Sequence, residues 1–368
     1  MANVWRTLFS SSDPISQSAR LLDGLRPLIE ALAEGPEQRI HQQPRLVEAL
    51  LEWQLPGWRV SEVISDHNDF CYRQAIERSL EALRDTGWGE PPVRFCVIVM
   101  GSGARHESLL HPDQDNGLIL DDYPAEHHTE IDAWFLHFAE HFTATLDAAG
   151  IPFCRGDVMA SRPLWRKPIS EWQEQMRLWM STRRVKLVQM CNILFDFAPV
   201  YGEVELALRL KAWIQQLLPQ SGLFLHEMSE LMDEAPVALD RFDRLQGDGR
   251  EAPHPDAINL KRQGLLPLTS ALRLRSLLQG VEAVSSRDRL EALHDAGVLT
   301  GDEHWRLVTA FERLQSRLLV TQVEAYRQGR VPDNWVDTRS LCDGEKRELQ
   351  WDLQQVKVFQ RKVRQIRN

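Results

Sequence analysis

Residues 93–100 form a nearly unbroken apolar run, rich in β-branched side chains, that stops at Gly101. Such a run suits a strand buried on both faces better than a helix, and residues 101–120 are equally constrained. A glycine turn, Gly101-Ser102-Gly103-Ala104-Arg105, leads into Pro112-Asp113-Gln114-Asp115-Asn116 and then a second apolar strand over residues 117–120. Residues 130–149 carry Ile131, Phe135, Phe138, Phe142 and Leu146 at helical spacing, which predicts a long amphipathic helix. Gly150-Ile151-Pro152-Phe153 ends it and opens a third strand toward Met159.

Strand, Gly-Ser turn, short helix and acidic pair make a coherent phosphate and metal site. Gly101 lets the backbone approach a polyphosphate, Ser102 adds a hydroxyl donor, and the amides opening the next helix favour an anion. Arg105, one turn on, offers a planar fork to a phosphate oxygen. Asp113 and Asp115 stand two residues apart, so on an extended backbone both carboxylates share a face, about 6 to 7 Å apart at the backbone. Hard oxygen ligands of this kind select Mg²⁺ or Mn²⁺ and suit in-line displacement at a phosphorus. Asp157, next to Gly156, is the first choice for a third carboxylate, with Asp196 the alternative; Lys261 and Arg262 could reach the triphosphate or the acceptor. His137-Phe138-Ala139-Glu140-His141 matches H-x-x-E-H, but twelve histidines make chance matches easy and that helix already has a packing face.

The remainder reads as helical. Leu21, Leu22, Leu25, Leu28, Ile29 and Leu32 recur at helical spacing, followed by Leu46, Leu50 and Leu51; another helix starts near Ser65 or Asp66, runs to Leu83 and is stopped by the glycines and prolines of residues 86–92. A tryptophan-rich helix (Trp172, Met176, Trp179) precedes a run over residues 185–197 whose end is a strand candidate. Residues 246–255, with Gly247, Gly249, Pro253 and Pro255, read as a loop, and Leu353, Val356, Phe359, Val363 and Ile366 make the last apolar stripe. The expected architecture is α+β: an N-terminal helical segment (1–60), a small mixed-sheet domain (61–202) and a helical C-terminal domain (203–368).

Composition narrows the function. With 43 basic and 53 acidic residues the chain carries a formal charge of -10, a poor balance for a polyanion partner such as nucleic acid. The one local basic run, Lys357, Arg361, Lys362, Arg364 and Arg367, reads as a solvated helix face. Five cysteines without C-x-x-C spacing argue against a disulfide framework and a thiolate zinc site, which suits a reducing cytoplasm. No stretch approaches the roughly 18 apolar residues of a membrane span.

Gly-Ser followed some ten residues later by Asp-x-Asp resembles the nucleotidyltransferase superfamily that includes polymerase beta. A closer resemblance is to the family called domain of unknown function 294 (DUF294), whose relatives include the uridylyltransferase of the PII signalling protein. It is carried by Ile64-Ser65-Asp66-His67-Asn68-Asp69, Pro91-Pro92-Val93, residues 101–116 and Cys154-Arg155-Gly156-Asp157-Val158-Met159-Ala160-Ser161. It continues through Phe195-Asp196-Phe197, Val200-Tyr201-Gly202, residues 260–267 and Val331-Pro332-Asp333-Asn334, and so covers roughly residues 60–368. The resemblance implies a polymerase-beta-like domain with a helical C-terminal domain, moving UMP or AMP from a nucleoside triphosphate to an acceptor hydroxyl, on a protein, with Mg²⁺ or Mn²⁺ and release of pyrophosphate. The family usually reads G-S-E-G-R-x-E-Q before T-D-Q-D-N, whereas here Gly103, Ala104, Ser108 and Pro112 replace Glu, Gly, Gln and Thr. The missing glutamate and a turn restricted by Ala104 keep a second reading open, a catalytically idle nucleotide-sensing module that binds a signalling partner. An RNA-tailing enzyme is disfavoured by the acidic balance.

Overall fold

The structure, a computed structural model, describes residues 39–365 except 183 and 250. The expected leucine helix at residues 21–32, like Ile366 and Arg367, lies outside the described residues. The chain divides into two compact units. One takes the described residues up to Trp53 with Arg59–Leu178 and Asp196–Gln216; the other takes Gln54–Trp58, Trp179–Phe195 and the residues from Leu217 on.

In the first unit, α1 (Arg39–Glu52) and α2 (Gly57–Asp85) precede β1 (Phe95–Met100), every residue of which is buried. α2 begins two turns before the expected start because Val60, Val63 and Ile64 continue its buried face at helical spacing. After β1 come α3 (Gly101–Ala104), β2 (Asn116–Leu120), α4 (His128–Ala148), β3 (Arg166–Pro168) and α5 (Ile169–Thr182). α6 (Val185–Leu194) belongs to the second unit, and the chain returns to the first with β4 (Phe197–Gly202) and α7 (Val204–Leu217). The sheet order is β3-β2-β1-β4, with β1 antiparallel to β2 and β4, and β2 parallel to β3, so the sheet is mixed and the fold α+β. Ile131, Phe135, Phe138, Phe142 and Leu146 are all buried on α4, as their spacing predicts. Each such aromatic removed from water stabilises by about 1.5–3 kcal/mol.

The register places the site. Val99 of β1 faces Asn116 of β2, so the end of one strand lies beside the start of the other, and the Met100 amide donates to the Asp115 carbonyl at 2.9 Å. The glycine turn and the acidic pair therefore lie at the same end of the two central strands. The expected third strand after Ile151 does not form; the strand beside β2 is β3. Pro152, Gly156 and the left-handed Asp157 (φ +57°) break the extended geometry there. This irregular segment instead serves the acidic loop, accepting from the Gln114 amide at the Pro152 carbonyl (2.9 Å) and from the Asn116 amide at the Val158 carbonyl (3.1 Å).

The second unit is mainly helical: α8 (Gly222–Leu231), α9 (Leu266–Leu278), α10 (Ser286–Asp295), α11 (Gly301–Arg327) and α12 (Asp343–Arg364). β5 (Ala257–Asn259) and β6 (Trp335–Asp337) form a two-stranded antiparallel ladder that no apolar pattern announced. A capping box between Thr300 and Glu303 starts α11. Leu353, Val356, Phe359 and Val363 are buried, while Lys357 pairs with Asp243 at 2.6 Å and Lys362 with Glu303 at 2.5 Å, so the basic run has acidic partners. None of the described cysteines is in a disulfide. No helix among the described residues is long and apolar enough to cross a membrane.

Candidate active site

Alternation along the acidic loop divides its side chains between solvent and core. Gln114 and Asn116 are fully buried, whereas Asp113 is exposed and Asp115 half-buried. The Gln114 amide nitrogen donates to the carbonyls of Thr143 and Ile151 (2.8 and 2.9 Å). Asn116 accepts from the Ala160 amide at 2.9 Å and donates to the Tyr72 hydroxyl at 3.3 Å. Two satisfied buried amides thus fix the backbone between the two aspartates, which are left facing outward.

Asp113 and Asp115 line a recess open to solvent, together with Ser102 and Gly103 from α3, Pro112 from the loop and Asn68, Asp69 and Tyr72 from α2. One carboxylate oxygen of each aspartate and Cys154 Sγ lie within 4.8 Å of one another, the one such triad of ligand-type side chains among the described residues. Two carboxylates fit a hard divalent cation that completes its shell with water and phosphate oxygens. Cys154 adds no hard donor: burial, with Asp115 next, pushes its thiol up to about 12. Burial likewise raises the Tyr72 phenol, with Asp115, Asp69 and Asp113 adding to the rise against the hydrogen bond from Asn116.

Gly101 is required twice over. Its φ of +60° is left-handed, and a Cβ there would sit 3.2 Å from Asp115 Oδ2. Gly101→Ala is expected to cost about 1–2 kcal/mol of stability through the backbone alone and to displace the Asp115 carboxylate. Thermal unfolding together with cobalt or manganese affinity checks both effects; unchanged metal binding would count against the close approach. Ala104, by contrast, is not in the left-handed region, so the restriction expected of it does not arise. The other left-handed residue of this turn is His106 (φ +55°).

The remaining expected site residues have other surroundings. The Arg105 guanidinium does not line the recess; it is buried between Glu107 and Asp196, both at 2.7 Å. Asp196 is fully buried in that contact, and its carbonyl accepts from the Gly101 amide at 2.9 Å. Asp157 is 64% exposed and pairs with Arg162 at 2.8 Å, outside the Asp113–Asp115 triad. Lys261 opens the π-helical turn Lys261–Leu265 of the second unit, and Arg262 pairs with Asp248 and Glu251. The H-x-x-E-H histidines have ordinary partners: His137 stacks on Trp88 at 4.8 Å and His141 hydrogen-bonds Ser79 at 2.8 Å. The sequence reading missed the α2 face. Asp66, Asp69 and Tyr72 fall three residues apart, a spacing that puts polar groups on one side of an otherwise apolar helix.

The mixed four-stranded sheet, with a Gly-Ser turn ending one strand and an Asp-x-Asp pair just before its neighbour, lies in a region that matches a nucleotidyltransferase family. Family models match residues 41–186, described as "Putative nucleotidyltransferase DUF294", and residues 222–366, described as "Putative nucleotidyltransferase substrate binding domain"; the chain belongs to the DUF294 family. No curated protein matches it.

Proposed function

We propose that this protein moves UMP or AMP from a nucleoside triphosphate to an acceptor hydroxyl on a protein and releases pyrophosphate, using the recess beside β1 and β2. The observation that carries the reading is the outward pair Asp113 and Asp115, held by Gln114 and Asn116 next to Ser102 and Gly103. A divalent cation, Mg²⁺ or Mn²⁺, bound by that pair supplies charge neutralisation for the triphosphate and the leaving pyrophosphate. Ser102 donates its hydroxyl to a phosphate oxygen, and Gly101 and Gly103 keep side chains out of the path of the polyphosphate. Asp113 and Asp115 would hold that cation where the α-phosphate is to be attacked. Arg105 acts from behind, tying the turn to the residue before β4 through Asp196. Lys261 belongs to the region whose family description is substrate binding, and we assign it to acceptor or triphosphate contact. The domain limits 61–202 and 203–368 are offered with this reading, catalytic and acceptor-binding respectively.

Incubating the protein with Mg²⁺ or Mn²⁺ and each α-labelled triphosphate, with cell extract as acceptor source, tests the proposal. The expected outcome is label in protein with one equivalent of pyrophosphate, from UTP or ATP. Tight nucleotide binding without turnover would establish the sensing module instead, and label in RNA would establish the tailing enzyme.

A further inference from the structure

The two carboxylates expected to complete the site are committed elsewhere, Asp157 to Arg162 on an exposed turn and Asp196 to Arg105 in the core. A carboxylate from another element does line the recess with Asp113 and Asp115. We infer that Asp69, on α2, is the base of this recess and takes the proton of the acceptor hydroxyl, a role that rests on the nucleotidyl-transfer reading above.

Position is the first argument. Asp69 shares the recess with Asn68, Tyr72, Ser102 and the acidic pair, and its side chain is only 18% exposed, so it faces the space where phosphate and acceptor must meet. Orientation is the second. His106 Nε2 lies 3.9 Å from Asp69 Oδ2, while its Nδ1 lies 3.5 Å from Asp66 Oδ1, so one imidazole spans both acids of the α2 face. His106 is held there in the left-handed region, a strained conformation for a side chain of its size. The charged and titratable groups around Asp69 are Asp66 and Arg73 on α2 and His106 after α3, with Tyr72, Asp113 and Asp115 around the recess. Burial holds the Asp69 carboxyl up at about 6, against the pull of His106 and Arg73 and with Asp66 adding to the rise. A base in that range is ionised at neutral pH yet avid enough to accept a proton.

The step balances. The acceptor O–H bond breaks and its proton passes to an Asp69 oxygen; the acceptor oxygen bonds the α-phosphorus; the bond from that phosphorus to the α–β bridging oxygen breaks, and its electron pair leaves on pyrophosphate. His106 is a positioning residue in this scheme.

Asp69→Ala and Asp69→Asn in the full chain test it, measured as pyrophosphate release from UTP and ATP with Mn²⁺ and cell extract as acceptor source. The expected result is a fall in kcat of about 100-fold or more with nucleotide KM held within about threefold, and recovery of Asp69→Ala, but not Asp113→Ala, by added formate. Stability supplies the control for folding. Because the folded carboxyl titrates above its unfolded value, its contribution is present below pH 4 or so and is lost as pH rises through about 6. The ionised group therefore weakens the fold at pH 8, and Asp69→Asn should unfold there no earlier than the wild type. Undiminished kcat in both variants, or a loss that formate does not restore, overturns the role of Asp69 and leaves the transferase reading standing. A wild-type chain that binds nucleotide and releases no pyrophosphate overturns both.

Discussion

Asp113→Ala and Asp115→Ala should each lower pyrophosphate release by about 10³-fold or more while leaving the protein as stable as the wild type, or more so. The two halves of that expectation have one cause. A carboxylate oxygen of each aspartate lies within 4.8 Å of the other and of the Cys154 sulfur. Like charges placed this closely repel, so removing one relieves the fold, whereas the proposed transfer uses both carboxylates. Stability gained at the loss of turnover marks a group kept for chemistry rather than for packing. Release of pyrophosphate by the variants and wild type, beside their melting temperatures, checks the pair. A variant that retains wild-type turnover would remove the recess from the mechanism, and one that unfolds about 10 °C earlier would make the aspartate structural.

Much of this arrangement was legible in the chain. The strand over residues 95–100 and the α4 helix followed from apolar periodicity, because each has one dominant demand, burial. The acidic pair was legible because period-two spacing survives any detail of the loop. The third strand was misplaced for a physical reason: Ile151 and Cys154 are as buried as strand residues, yet their segment directs its carbonyls to Gln114 and Asn116 instead of a ladder. Burial alone does not distinguish the two. The polar face of α2 was missed because Asp66 reads as a helix start and Tyr72 as part of the apolar face, so Asp69 between them carries no signal of its own beyond the family resemblance. Arg105 was read as a phosphate clamp since its fork suits phosphate and carboxylate alike. Choosing between them needs Asp196, 91 residues away, and no local spacing reports it.

That choice has a large consequence. Arg105→Ala should destabilise the protein by about 3–5 kcal/mol, because it removes the guanidinium that meets the fully buried Asp196 carboxylate and the nearly buried Glu107. Burial opposes the charge on Arg105, and Glu107 and Asp196 more than offset it, so the guanidinium titrates above its ordinary range and stays charged at any pH of interest. Lysine does not substitute: it has one ammonium where two acids are met by separate nitrogens of a fork, Nε for Glu107 and Nη1 for Asp196. A combined replacement, Arg105→Met with Asp196→Leu and Glu107→Gln, should recover most of the loss, since exchanging a buried ion network for apolar groups of similar volume is often neutral or better. Denaturant unfolding of the single and combined variants measures both. If Arg105→Ala melts like the wild type and only the nucleotide KM rises, the arginine holds phosphate after all and the clamp between the glycine turn and β4 is secondary. If stability falls and the combined variant restores it, the cation of this turn serves the fold, and charge for the triphosphate must come from groups other than Arg105.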